Sequence, residues 1–368
     1  MLNEIFTSIQ DHRVTGRCTY LLADLLTNAL LTYIAGGEDY ADMSEFAASR
    51  ARAFGLFVDV ETSPSQDTFE RLMKVVNPDE IERCLNDYGK KFIESLAEKQ
   101  VVIDGKKLRG TAPTQRGEKG DFLLNAFVSD NQLFLGQTPL TDKENEIAAI
   151  PRLLSKLDVE GATVSIDAMG TQVSIAQNIL DKGAHYLLAV KENQGSLYEA
   201  ITTAFKYHKP LDCAEQMDSD HGRVETRVCR ILDVTSIDCP DDRKAISRWP
   251  MLKTLVEIEA TVVHPNRTSH AKRYYISDED YPKAAYFNML VRGHWAIENN
   301  LHWALDVIFK EDACRSRKNN AAQNLSLCRK LALDIVKKYP DKRSIRKRLF
   351  KSAIDNEYML SMLSKIKF

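Results

Sequence analysis

The stretch "KQVVIDGKKLRG" (99–110) decides how the chain is to be read. Val101, Val102 and Ile103 run straight into Asp104, and Lys106, Lys107 and Arg109 follow at once. An apolar run without polar alternation asks for burial on both faces, as inside a sheet. The carboxylate then stands where that interior meets solvent, among cations. A second stretch, "ATVSIDAMG" (162–170), repeats the pattern with an apolar strand that ends in Asp167.

Between the two lie "FLLNAFVSD" (122–130) and "QLFLGQTPL" (132–140), joined at Asp130-Asn131, a tight hairpin signal. "NEIAAIPRLLSKL" (145–157) predicts a helix interrupted early by Pro151; a helix over 171–182 and the strand "HYLLAVK" (185–191) follow. Three strands in a meander, then alternating helix and strand, describe an α/β fold: a mixed sheet with helices on its faces. In that order the first and fourth strands can lie side by side, bringing Asp104 and Asp167 together. Like charges resist such an approach unless a cation is bound between them. Two close carboxylates and a divalent metal are the parts of a phosphoryl-transfer site, and Mg²⁺ suits all-oxygen ligands. Either aspartate alone would be no more than a turn cap.

Residues 1–95 read as helical throughout. In "TSPSQDTFERLMKVV" (62–76) Ser63 is the expected N-cap, Pro64 the first helical residue and Gln66 the N3 partner. Phe69, Leu72, Met73 and Val76 form one apolar stripe. With "ADMSEFAASRARAF" (41–54) this makes a helix pair that admits two readings, a DNA-reading helix-turn-helix or a packing unit. "YLLADLLTNALLTYIAGG" (20–37) is apolar, yet Asp24, Thr27 and Asn28 mark it as a buried helix rather than a membrane span.

From about 200 to 284 the sequence leans to strands. "HGRVETRVCRILDV" (221–234) sets Arg223, Glu225 and Arg227 against Val224, Thr226 and Val228, a β-rich insertion edged with arginines. Helices resume near 282. In "RGHWAIENNLHWALDVIFKEDACRSR" (292–317), Trp295, Leu301, Ala304, Leu305 and Ile308 are expected to pack inward, and Trp303 is also read as core. Glu298 has His294 four residues before it and His302 four after. His-x₃-Glu-x₃-His lacks the H-E-x-x-H spacing of zinc enzymes and has no cysteine support. Asp306, Glu311 and Asp312 are rival acids, and periodicity alone leaves the choice open.

The 368 residues, 44% hydrophobic and 28% charged, suit two or three globular units. The net charge of −2 hides an asymmetry: residues 315–368 hold 15 Lys/Arg against 4 Asp/Glu, which leaves −13 for the rest. A basic run such as "KKYPDKRSIRKRLFK" (337–351) either attracts polyanions or is a solvated helix face. Seven scattered cysteines without a C-x-x-C pair, and no N-terminal signal, predict a cytoplasmic protein.

Taken in order, "VVIDGKKLRG", "VSIDAMGTQ", "YLLAVKENQG", "HGRVETR" and "GHWAIENNLHWALDVIFKEDACRSRKNNAAQNLSLCRKLAL" resemble the H-repeat-associated proteins, a family of insertion-sequence transposases. The likeness covers almost the whole chain, including "PSQDTFERLM" near the N-terminus. It implies an RNase H-like core with an Asp-Asp-Glu triad at Asp104, Asp167 and Glu298. It also implies Mg²⁺, with Mn²⁺ as a substitute, DNA as partner and a homo-oligomer in the active complex. Candidate DNA contacts are Lys106, Arg109, Lys191, Arg223, Arg227, His294, His302, Arg315 and Arg317. One departure stands out. Related transposases often carry Tyr-x₂-Arg-x₃-Glu-x₆-Lys around the glutamate, where this chain has Val291, His294, Glu298 and Leu305.

The expected division is a helical N-terminal domain over 1–95, a first core part over 96–200, the β-rich insertion over 201–284, a second core part over 285–335 and a basic helical C-terminus over 336–368. A structure-selective nuclease on the same core and a retired, DNA-binding descendant of a transposase are the alternatives.

Overall fold

Strand β1 (Gln100–Lys107) lies inside one nine-stranded sheet of the computed structural model, which describes residues 5–90, 92–112, 120–140, 144–220 and 222–364. It pairs antiparallel with β2 (Phe122–Val128), which pairs antiparallel with β3 (Leu133–Pro139). On its other side β1 runs parallel to β4 (Thr163–Ile166), and β4 runs parallel to β5 (His185–Val190). The order β3-β2-β1-β4-β5 is the RNase H-like arrangement the sequence implied. The hairpin expected at Asp130-Asn131 is there, and the first and fourth strands are neighbours, in the register Ile103↔Ile166.

The arginine-edged stretch does not form a separate β unit. Its strands β6 (Asp212–Asp220), β7 (Arg223–Asp233), β8 (Thr254–His264) and β9 (Arg267–Ser277) make an antiparallel meander. This meander extends the same sheet, because β9 pairs antiparallel with β5. Hydrogen bonding on both sides of β5 makes the junction a continuous ladder rather than a hinge.

Alternate residues of β1 face different layers. Val101 and Ile103 enter one apolar core, and Val102 enters another on the opposite face. The second core is helical. It gathers α1 (Leu22–Ile34), α2 (Tyr40–Ser49), α3 (Gln66–Val75) and α4 (Pro78–Gly89) from the N-terminal region. The first core holds α5 (Glu146–Ser155), α6 (Val173–Asp181), α7 (Gly195–Tyr207) and the short α8 (Pro240–Ile246). A third packs α9 (Ala284–His294) on the sheet extension. The last helices, α10 (Ala321–Lys338), α11 (Ile345–Ile354) and α12 (Asn356–Ser364), join the N-terminal ones in a shared core. The described residues of 1–95 are thus helical as expected but have no separate interior.

Helix α1 is buried along almost its whole length, and the Asn28 amide donates to the Met43 carbonyl at 2.9 Å. Among the described residues no helix is long and apolar enough to cross a membrane. Helix α3 starts two residues later than the sequence suggested, with Ser65 in the N-cap position and no side-chain cap. Pro151 sits inside α5 without ending it. All seven cysteines are free thiols.

Candidate active site

Asp104 stands in the body of β1, not at its end as expected, and shares a face with Val102 and Lys106. The neighbouring Gly105 is obligatory for packing: a Cβ there would fall 2.4 Å from the Phe122 ring and 2.8 Å from Glu146 Oε1. Asp167 follows β4, one step past Ile166, so the parallel register carries it beside Asp104. Its Oδ1 accepts from the backbone N–H groups of Met169 and Gly170 at 3.1 and 3.2 Å, which fixes the turn.

The third acid arrives on the same face of the sheet, from the helix packed on Leu187. Helix α9 crosses the sheet at Gly293, where a Cβ would lie 2.0 Å from Gln100 Oε1, so only glycine permits this approach. His294 then anchors to β4, its Nδ1 3.1 Å from Ser165 Oγ. The chain continues in two widened π-turns, Glu298–His302 and Ala304–Ile308. Such turns recur at functional sites. The first delivers Glu298 and His302 to Asp104. His302 Nδ1 lies 3.6 Å from Asp104 Oδ2 and 3.6 Å from Glu298 Oε2.

The electrostatics match that of a site built around a cation. Burial, then the charges of Glu298, Asp167 and Glu146, push the Asp104 carboxyl up to about 8. Glu298 moves the other way, held below the usual range by the His302 imidazole. Two carboxyls that move apart in this way share one proton between them. Glu146, at the start of α5, is also raised by burial and by Asp167. Sequence reading missed it; the only available signal was an acid in the first turn of the helix that follows β3.

Rival acids are accounted for differently. Lys106 is buried, with its Nζ 2.5 Å from Asp306, 3.4 Å from Asp312 and 3.5 Å from Glu311. Those three carboxylates are committed to one lysine, while Glu298 faces Asp104. The same contacts take Lys106 away from the DNA role expected for it.

His294 is likewise not a cation: burial pulls its imidazole down to about 4, so it is neutral at pH 7. His302 is in the acid cluster rather than on an outer face. Trp295 and Trp303, expected in the core, are exposed, and the buried stripe is Ile297, Leu301, Ala304 and Leu305.

The other candidate cations fall into separate places. Arg109 is exposed beside Asp312, and Lys191 is exposed just after β5. Arg315 and Arg317 line a cleft of about 580 Å³ beside α3, with Lys74, Lys310 and Lys318. Arg223 and Arg227 line another of about 840 Å³, joined there by Arg273 and Arg292, which the sequence did not single out. The Arg273 guanidinium lies 5.1 Å over the Trp295 ring. Arg227 is buried in this cleft and its Nε lacks a hydrogen-bond partner. In the basic tail, Lys337 and Lys338 donate to the carbonyls of Asn300 and Asn131, and Arg348 caps the end of α10. Those three cations serve packing.

An RNase H-like sheet with acids gathered on its central strands defines a class of metal-dependent phosphoryl-transfer enzymes. Residues 96–335 match the family described as "Transposase DDE domain", and residues 3–89 match "DDE_Tnp_1-associated". "H repeat-associated putative transposase YhhI" of Escherichia coli K12 is 32% identical over 99% of this chain and 97% of its own length. "Putative transposase YncI" of Escherichia coli O157:H7 is 32% identical over 99% of this chain and 94% of its own. A piggyBac transposase synaptic complex with hairpin DNA superposes with a TM-score of 0.44 at 14% identity, over 99% of this chain and 77% of that one, too distant to carry weight. The chain belongs to the DDE transposases, insertion-sequence enzymes that cut and rejoin DNA.

Proposed function

We propose that Asp104, Asp167 and Glu298 are the metal-binding triad with which this transposase cuts the ends of its element and joins them to target DNA. The observation that carries the reading is the convergence of Asp104 and Glu298 on one point of the sheet face, with Asp167 one step past the adjoining parallel strand. The donor set fits a divalent cation, since burial and the neighbouring acids raise Asp104 to about 8 and a bound positive charge would relieve that repulsion. Mg²⁺, or Mn²⁺ in its place, supplies activation of the attacking oxygen and stabilisation of the leaving one.

The chain's own residues do the placing. The β1–β4 ladder fixes Asp104 against Asp167, and the His294–Ser165 contact ties the glutamate segment to β4. In the first step a water oxygen bonds to phosphorus and the bond to the 3′-oxygen breaks. In the second, that 3′-oxygen bonds to a target phosphorus and displaces a target-strand oxygen. Arg109, Lys191, Arg315, Arg317 and the Arg223–Arg227–Arg273–Arg292 cleft are the surfaces that would meet DNA phosphates. Pairing two ends calls for at least two protomers in the active complex, and the chain works in the cytoplasm. The N-terminal helices act with the basic C-terminus as one end-binding unit.

The test is cleavage and strand transfer on labelled DNA that ends in the sequences flanking the gene, with Mg²⁺ or Mn²⁺. Cutting and joining that vanish in Asp104→Asn and Glu298→Gln support the triad. Cutting without joining points to a nuclease. Binding without cleavage, on the correct ends, points to a retired protein. Activity that survives Glu298→Gln removes Glu298 from the triad.

A further inference from the structure

His302 has no role in an Asp-Asp-Glu site, yet it occupies the middle of this one. It is 5% exposed, and its Nε2 is buried without any hydrogen-bond partner. Its Nδ1 faces Asp104 and Glu298 at 3.6 Å each, longer than a hydrogen bond. The atom turned to the acids is Nδ1, and neither 3.6 Å contact closes a hydrogen bond to it. Among the described residues, Asp104, Glu298 and His302 are the one trio of potential ligands whose donor atoms all lie within 4.8 Å of one another. Two ligands about 2.1 Å from one ion stand roughly 3 to 3.6 Å apart, and both His302 contacts, at 3.6 Å, fall at the top of that range.

The backbone supports the same point. Glu298 and His302 open and close a single π-turn, in which the Trp303 N–H donates to the Glu298 carbonyl. The widened turn stacks the two side chains on one side of the segment, both directed at β1. A histidine that only orients a ligand would sit behind the carboxylate. This one sits between two carboxylates, where an ion they share would be.

We propose that His302 is a direct ligand of the metal held by Asp104 and Glu298, through Nδ1, so that this position has two oxygens and one nitrogen. The inference rests on the triad reading above and adds a metal preference to it. Imidazole is tolerated better by Mn²⁺ and later transition ions than by Mg²⁺, which favours oxygen. The site is therefore selective for Mn²⁺ beyond what three carboxylates would give.

The experiment uses the full chain with Mn²⁺ alone and reads pulsed electron paramagnetic resonance for nitrogen coupled to the ion, with natural and ¹⁵N-histidine protein. The expected result is a directly coupled nitrogen that follows the isotope, is lost in His302→Gln and persists in His294→Gln. Mn²⁺ affinity should fall about 10- to 100-fold in His302→Gln, and Mg²⁺ affinity by less. No coupled nitrogen in the unsubstituted protein, or one that survives His302→Gln, overturns the proposal whether or not that variant folds well. If Asp104→Asn removes Mn²⁺ binding while no nitrogen is seen, the triad stands and only His302 is excluded. If Asp104→Asn leaves Mn²⁺ binding intact, the triad itself is wrong.

Discussion

Replacing Lys106 by methionine separates two roles that the sequence could not tell apart. If Lys106 meets phosphate, Lys106→Met weakens DNA binding and leaves the fold alone. The structure predicts the reverse. Its Nζ lies within 3.5 Å of three carboxylates, and of these Glu311 is only 2% exposed. Glu311 Oε1 would keep the Ser326 hydroxyl at 2.7 Å, but Oε2 has no hydrogen-bond partner and would face methyl carbon. Removing one partner of a buried ion pair costs ~3–5 kcal/mol. Asp306 and Asp312 keep access to water, so a loss of about 3 kcal/mol is expected here.

Burial draws the lysine down, but Glu311, Asp306 and Asp312 outweigh it and its folded pKa is raised. A raised lysine stabilises fully below its unfolded value, about 10.4, and that stability is lost only as pH climbs through the folded value. The unsubstituted protein therefore has the whole contribution at both pH 7 and pH 5. In Lys106→Met a carboxyl of the cluster can take up a proton at the lower pH, so the penalty shrinks from pH 7 to pH 5. Guanidinium unfolding at the two pH values measures both terms, and salt-dependent DNA binding measures the alternative. A loss below about 1 kcal/mol, together with a salt slope shallower by about 1, would refute the structural assignment.

Other perturbations test the remaining parts of the site. Asp104 is raised to about 8, so without metal the folded state holds a proton that the unfolded state releases near pH 4. Stability should then fall as pH rises from 4 to 8, and Asp104→Asn should stabilise the metal-free protein at pH 8 by ~2–3 kcal/mol, read as a higher melting temperature; a melting temperature that rises over that pH range contradicts this. Gly293→Ala would drive a methyl into Gln100, whose amide donates to Ser165 Oγ and to the Leu290 carbonyl, and should cost about 2–4 kcal/mol while displacing Glu298; unchanged unfolding would contradict the close crossing. Arg223→Gln and Arg273→Gln should each weaken DNA binding with a salt slope shallower by about 1, at unchanged stability, and a salt slope equal to that of the unsubstituted protein removes the cleft from the DNA path.

The central sheet was legible because its signals are local. A short, mostly apolar run before each aspartate, and an Asp-Asn turn between two strands, fix β1 to β4 without reference to distant residues. What could not be read was long-range. Lys106 looks like a DNA contact in its own neighbourhood, since the acids that claim it lie about two hundred residues further along. The tryptophans were misplaced for a different reason. At about 100° per residue both lie more than about 120° from the middle of the stripe of Ile297, Leu301, Ala304 and Leu305, so their apolar bulk, not the helical period, put them with the core. Glu298 was chosen by family resemblance, and the physical ground for preferring it to Asp306 and Glu311 came only with the Lys106 cluster. Glu146 left almost no trace, because its relevance arises from the close approach of α5 to Gly105.

The interior shared by the first and last helices has a consequence in time. Helix α1 is buried against α10, and Tyr33 stacks under the fully buried Arg329 with 4.8 Å between guanidinium carbon and ring centroid. During synthesis the N-terminal helices emerge nearly three hundred residues before the helix that covers them. They spend the synthesis of the residues between with an apolar face open, waiting for a partner that leaves the ribosome much later. Nascent chains that stall before residue 321 would expose that face and be targets for chaperones and proteases. Synthesis as far as α10 thus becomes a checkpoint on the enzyme: a fragment long enough to carry both aspartates still lacks the clasp that closes this core.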